Sequence, residues 1–239
     1  MYAVIWTQCG AKMDFAPNKV LPDWEQLHRL VPSHFPPIGL FETVADPEDL
    51  DIVYAIESIT NDRLRDEVGD LTLIPADERV SGPGSTPVMA AFTHIGVASR
   101  FTNGQYGVYY GARDLKTALA ETIYHRERFL SATQEHDTEL TMRQYINKIA
   151  LPLDDVRSSA YAELHHPDSY DASQAFAKTV RNNQSNGLLY RSVRHDGGEC
   201  VAAFKPKAVT IPLQGQHFRY VWSGHHQKII SVLSVSELE

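Results

Sequence analysis

After residue 88, strand-like and helical runs follow one another without regular alternation, and this constrains the fold more than any other feature. YGVYYGA, residues 106–112, is rich in strand-favouring aromatics. Asp114 is placed to cap a helix, DLKTALAETIYHRERFL, whose Leu115, Ala118, Leu119, Thr122, Ile123 and Arg126 share one face. YINKIAL, residues 145–151, alternates like a strand. Asp171 opens a second helix with Ala172, Ala175, Phe176, Thr179 and Val180 as its stripe. GLLYRSV, the turn HDGG at 195–198 and ECVAAF then read as a hairpin, with Asp196-Gly197 as its turn signal. Three more strands are expected at 208–213, 217–222 and 229–235. A doubly wound parallel sheet needs strands and helices in regular alternation, so this order predicts an α+β fold with a mixed sheet.

The chain before residue 75 has a different texture. Pro17, Pro22, Pro32, Pro36 and Pro37 break residues 1–45 into short pieces, with a helix expected over 23–31. A firmer helix is expected over 46–67, where Asp46 caps, Pro47 takes the first helical position and Leu50, Val53, Tyr54 and Leu64 supply the stripe. Pro75 to Pro87, with Gly82-Pro83-Gly84-Ser85, reads as a loop. We place a boundary near residue 75, with a partly helical extension over 1–75 and a second unit over 76–239. The 239 residues accommodate one large domain behind such an extension.

The formal net charge of −8 argues against a stand-alone binder of nucleic acid or anionic membrane, because both need a basic footprint. Cys9 and Cys200 are too few for a disulfide framework or a four-thiolate zinc site. The apolar run from Tyr2 to Trp6 is short and has no basic region before it, unlike a signal peptide. No stretch approaches the ~18–20 apolar residues of a membrane span. The expected location is the cytoplasm.

The sequence has no G-x-G-x-x-G, P-loop, G-x-S-x-G or H-E-x-x-H motif. His165-His166 and His225-His226 are adjacent pairs, which point opposite ways on extended chain and suit a metal poorly. No metal is expected. Ser192, His195 and Asp196 are nearly contiguous, whereas a triad is assembled by the fold with a defined relay geometry. What remains is a set of polar residues in apolar, strand-rich settings. At ~100° per residue, Glu121 lies well away from the centre of its helix's apolar stripe, so periodicity alone reads it as a solvated glutamate. Arg100 reads equally well as a surface cation, Ser192 as a strand-edge hydroxyl, and Tyr109 and Tyr110 as ordinary sheet residues.

Taken in order, these residues resemble a family. SRFTNGQYGVYYGARDLKTALAETIYHRERF, followed by NNQSNGLLYRSVRHDGGECVAAFKP, is similar to the RES-domain toxins of RES–Xre toxin–antitoxin systems. The likeness covers about residues 79–206. It lies in the Arg-aromatic step with a following Asn, the aromatic strand, the T-A-L-A-E helix and the G-L-x-Y-x-S strand with its Gly-Gly turn. It implies a mixed, split sheet of the ADP-ribosyltransferase type and an enzyme that consumes NAD or NADP, as a phosphorylase using inorganic phosphate or as a glycohydrolase. The implied catalytic residues are Arg100, Tyr110, Glu121 and Ser192. Tyr109 is a rival for the tyrosine, and Arg79 matches the family's upstream arginine, although Val80 follows it where an aromatic is usual.

No resident cofactor is implied. The implied partner is an Xre-type helix-turn-helix antitoxin, which would make any DNA contact, and a homodimer is a further expectation of the resemblance. The alternatives are an ADP-ribosyltransferase acting on a protein and a non-catalytic antitoxin-binding protein. The residue types suit the chemistry. Cleaving the nicotinamide–ribose bond leaves an oxocarbenium-like ribose, which a carboxylate such as Glu121 stabilises. Arg79 and Arg100 are suited to fork onto phosphate oxygens. Tyr110 offers a ring and a hydroxyl.

Overall fold

A computed structural model describes residues 5–6, 12–13, 16–33 and 69–236. The helix expected over 46–67 lies outside the described residues. Strands β1 (Ile5–Trp6) and β2 (Lys12–Met13) pair with each other. The remaining strands are β3 (Asn18–Val20), β4 (Leu27–Pro32), β5 (Tyr109–Ala112), β6 (Thr138–Asn147), β7 (Leu153–Asp155), β8 (Gly187–Arg191), β9 (Glu199–Ala203), β10 (Leu213–Ser223) and β11 (Lys228–Val235). They form one nine-stranded sheet in the order β11-β10-β6-β4-β5-β9-β8-β7-β3. Among the described residues only β7 and β8 run parallel, so the sheet is mixed, as expected of the α+β class.

Helix α1 (Thr86–Thr93) covers one face of the sheet, while α2 (Leu115–Ala132) and α3 (Asp171–Asn182) cover the other. Leu27, Met89, Phe92, Tyr109, Leu189 and Val201 fill the first core. Leu30, Phe101, Phe176, Leu188, Tyr190 and Ala202 belong to the second. β8 and β9 alternate strictly between the two cores. That is why GLLY and CVAA read as unbroken apolar runs: both faces of these strands are covered. Burying a side chain such as Phe176 or Leu188 contributes roughly 1.5–3 kcal/mol. Among the described residues, no helix is long and apolar enough to cross a membrane.

Several elements differ from expectation. Residues 23–31 are not helical; Leu27–Pro32 is strand β4, paired antiparallel with β6 and touching β5 at His28↔Ala112. Leu27 and Leu30 enter opposite cores, which a strand permits at a spacing of three and a helix does not. The sheet therefore crosses the division expected near residue 75. The loop over 75–87 ends early, because α1 begins at Thr86 with Pro87 in its first turn.

The aromatic strand is shorter than expected, at Tyr109–Ala112. The strand expected over 145–151 instead ends at Asn147 and begins at Thr138. Residues 208–212 do not pair as a strand: Pro206–Ala208 is a 3-10 turn, Val209 makes an isolated bridge to Ile149, and Leu213 already opens β10. The expected helices at 115 and 171, the β8–β9 hairpin and the last two strands are all present.

Candidate active site

The site begins with the first turn of α2. Asp114 adopts extended backbone and its Oδ1 accepts the Thr117 amide at 2.8 Å, so it caps the helix as its position suggested. Thr117, Glu121, Tyr124 and Arg128 follow at spacings of four, three and four and form one stripe along the helix. Ala118, Leu119 and Ile123 turn to the core. The stripe faces the turn between β8 and β9, residues 192–198, in three contacts. Thr117 Oγ1 meets His195 Nδ1 at 2.7 Å. Ser192 Oγ donates to Glu121 Oε1 at 2.6 Å. The Arg194 guanidinium lies 3.3 Å from the centre of the Tyr124 ring.

The directions of these hydrogen bonds follow from the donors available. Ser192 Oγ accepts the amides of Arg194 and His195 at 3.1 and 3.0 Å, which leaves its single proton for Glu121. A serine so engaged orients the carboxylate rather than attacking substrate. Thr117 gives its proton to Asp114 Oδ2 at 2.8 Å, so His195 Nδ1 is the donor to Thr117. His195 thus meets Ser192 through its backbone amide, and its ring turns to Thr117, which is not a relay triad. Gly198 permits the close approach: a Cβ there would sit 2.8 Å from Thr117 Cγ2 and Oγ1.

Arg100 is 6% exposed and is fixed from several sides. Its Nη1 donates to the carbonyls of Leu164 and His166 at 3.1 and 2.9 Å, and its guanidinium lies over the Tyr170 ring. The Tyr110 hydroxyl contacts Ser99 Oγ at 2.7 Å and accepts the Phe101 amide at 3.0 Å, bracketing Arg100 on both sides. From α3, Ser173 Oγ donates to the Arg100 carbonyl at 2.6 Å. Burial pushes the Tyr110 phenol well above its ordinary range, so it stays a neutral hydroxyl.

Between these groups lies Tyr190, whose ring meets Phe101 edge-on at 4.8 Å. Burial, followed by the nearby Cys200, Glu121 and Tyr110, raises its phenol well above the usual value, while Arg100 opposes the shift. The fold thus gathers Arg100, Tyr110, Glu121 and Ser192 on one face. Arg79 and Tyr109 are elsewhere. Arg79 is buried and donates to the carbonyls of Ile74 and Leu71, both in the first core. Tyr109 is fully buried in that core under the Arg29 guanidinium, its phenol pushed up to about 12 by burial.

A cleft of about 310 Å3 opens beside the turn, lined by His165, Arg191, Ser192, Gly197, Gly198 and Glu199. His165 Nδ1 donates to the Tyr161 carbonyl and its Nε2 accepts the Arg191 amide, so both ring nitrogens serve the fold. Among the described residues, no three His, Cys, Asp or Glu side chains gather as metal ligands. Thr117, Tyr124, Tyr190 and Arg194 are site residues that the sequence reading did not single out, and His195, weighed there only as a triad member, serves the site through Thr117 and Ser192. The spacing of Thr117 and Tyr124 from Glu121 along the helix was the available signal for those two.

Comparison with known proteins agrees with the motif order. A family model described as the RES domain matches residues 77–223. The uncharacterized protein y4oC of Sinorhizobium fredii (strain NBRC 101917 / NGR234) is 27% identical over 203 residues, covering 84% of each chain. The solved M. tuberculosis MbcT–MbcA toxin–antitoxin complex contains a chain that aligns with TM-score 0.45 and 8% identity, over 87% of this chain and 90% of that one.

Proposed function

This chain belongs to the RES domain family, and from that premise we propose that it is the toxin of a toxin–antitoxin pair, acting by cleaving the nicotinamide–ribose bond of NAD or NADP. The observation that carries the reading is the Glu121 carboxylate. It is oriented by Ser192 through a 2.6 Å hydrogen bond on the face of the sheet that also holds Arg100 and Tyr110.

In this reading the bond from the ribose anomeric carbon to the pyridinium nitrogen breaks, and its electron pair leaves with nicotinamide as a neutral base. The ribose acquires oxocarbenium character. Glu121 stabilises that charge and accepts a ribose hydroxyl through Oε2, while Oε1 is held by Ser192. Phosphate or water then adds to the anomeric carbon, and water loses its proton on adding. Tyr110 fixes the backbone on either side of Arg100. The proposed partner is an Xre-type helix-turn-helix antitoxin, with the cytoplasm as the place of action.

Nicotinamide release from NAD by the purified chain, freed of any inhibitor, tests the proposal. Release with wild-type protein, slower by about a thousandfold or more with Glu121→Gln, is expected; absence of release from the wild type both with and without phosphate overturns it. Dependence on inorganic phosphate distinguishes a phosphorylase from a glycohydrolase.

A further inference from the structure

Water that adds to the ribose anomeric carbon must lose a proton, and the groups placed so far do not receive it. Ser192 Oγ is filled by two backbone amides and by Glu121. Both ring nitrogens of His165 serve the fold. Burial keeps the Tyr110 phenol a neutral hydroxyl. His125, whose pKa burial and then four arginines bring down to about 4, binds a proton weakly near neutral pH.

His195 is placed differently. Asp114 accepts the Thr117 amide on Oδ1 and the Thr117 hydroxyl on Oδ2, both at 2.8 Å. Burial raises the Asp114 carboxyl, but the Thr117 bonds and then His195 and His28 more than offset it, so its pKa lies below the usual value. Thr117 Oγ1 in turn takes the His195 Nδ1 proton at 2.7 Å. With that proton on Nδ1, the lone pair sits on Nε2, for which no hydrogen-bond partner is found among the described residues. The turn also grips α2 on both sides of the carboxylate. Its His195 meets Thr117, four residues before Glu121, and its Arg194 meets Tyr124, three residues after. Four residues of helix rise about 6 Å, so the half-buried imidazole stands within about one turn of Glu121.

We infer that His195 is the general base for water in the proposed reaction, oriented through Thr117 by Asp114. The inference rests on the proposed reading of Glu121 and names the group that completes the hydrolytic step. The water oxygen gives an electron pair to the anomeric carbon. Its O–H bond breaks, the bonding pair stays on oxygen as the new hydroxyl of ADP-ribose, and the proton passes to Nε2. The resulting imidazolium keeps its Nδ1 proton on Thr117, two hydrogen bonds from the Asp114 carboxylate, and afterwards releases the Nε2 proton to solvent. Phosphate dianion adds through an oxygen that already carries charge and has no proton to lose. His195 therefore favours water over phosphate as the acceptor.

The test is the division of products. The full chain turns over NAD in a fixed concentration of inorganic phosphate, and free ADP-ribose is separated from its 1-phosphate ester by chromatography. His195→Gln keeps a side-chain donor for Thr117 and loses the base, and the ratio of ADP-ribose to ester is expected to fall about tenfold or more. Thr117→Val should lower the ratio in the same direction, and Thr117→Ser, which keeps the hydroxyl, should restore it. Both products come from molecules that have already released nicotinamide, so partial unfolding or a slower first step leaves the ratio unmoved. An unchanged ratio in His195→Gln overturns the inference, as does a wild type that makes the ester alone. A wild type that releases no nicotinamide at all removes the proposed reaction instead, so the two failures are distinguishable.

Discussion

Ser192 Oγ and Glu121 Oε1 lie 2.6 Å apart although 71 residues separate them in the chain, and this hydrogen bond joins the β8–β9 turn to helix α2. Because the serine oxygen also accepts two backbone amides, its proton has one destination. Ser192→Ala removes the orienting bond and leaves the carboxylate in place. Nicotinamide release should fall about ten- to a hundredfold, and Glu121→Gln should cost on the order of a thousandfold or more. The double variant should be no slower than Glu121→Gln alone, since the two residues act as a unit. Additive losses would show that Ser192 works independently.

Arg100→Lys keeps the charge and loses the fork. One nitrogen now reaches both Leu164 and His166 carbonyls from a buried position, a geometry that a lysine stem does not reproduce. The expected result is a loss of about 1–3 kcal/mol in chemical denaturation, with a rise in KM larger than the fall in kcat. A variant as stable as the wild type would show that these carbonyl contacts contribute little.

Gly198→Ala tests how tightly the turn lies on α2. The added methyl would meet Thr117 at 2.8 Å and His195 Nδ1 at 3.0 Å, so the turn must lift from the helix. Thermal or urea unfolding should register a loss of about 1–3 kcal/mol, accompanied by reduced activity as Ser192 moves with the turn. Stability preserved together with full activity would refute the close packing.

His125 predicts a pH effect on stability. Burial and the surrounding Arg194, Arg126, Arg100 and Arg128 hold its pKa at about 4, below the ordinary 6.5. Between those values the unfolded chain binds a proton that the folded chain does not. This contribution is therefore fully present above about 6.5 and is lost as pH falls towards 4. Urea midpoints at pH 7 and pH 4.5 should differ more for the wild type than for His125→Gln. Equal differences would place the imidazole in ordinary solvent.

The legible parts of this protein are the local ones. The Asp114 cap, the α2 and α3 periodicities and the β8–β9 hairpin depend on residues within a few positions of one another, and they lie where the pattern put them. β4 was illegible for the opposite reason. Residues 27–32 are a strand because β6 lies on one side and β5 on the other, and their partners in β6, Met142 to Asn147, come 110 to 120 residues later in the chain.

Tyr109 and Tyr110 show the same limit at single-residue scale. Composition marks both as strand residues, but only the register of β5 against β9 places Tyr109 in one core and Tyr110 beside Arg100 on the other. The order of Arg100, Tyr110, Glu121 and Ser192 along the chain, and the family it resembles, were properties of the sequence by itself. The sheet decided which of the marked residues meet. It set Arg79 and Tyr109 apart and brought Ser192, Arg194 and His195 to the helix face on which Thr117 and Tyr124 already flank the carboxylate. Helix caps and periodicity follow from neighbours in the chain, whereas a site follows from strand order and register, which are settled by burying both faces of the sheet at once.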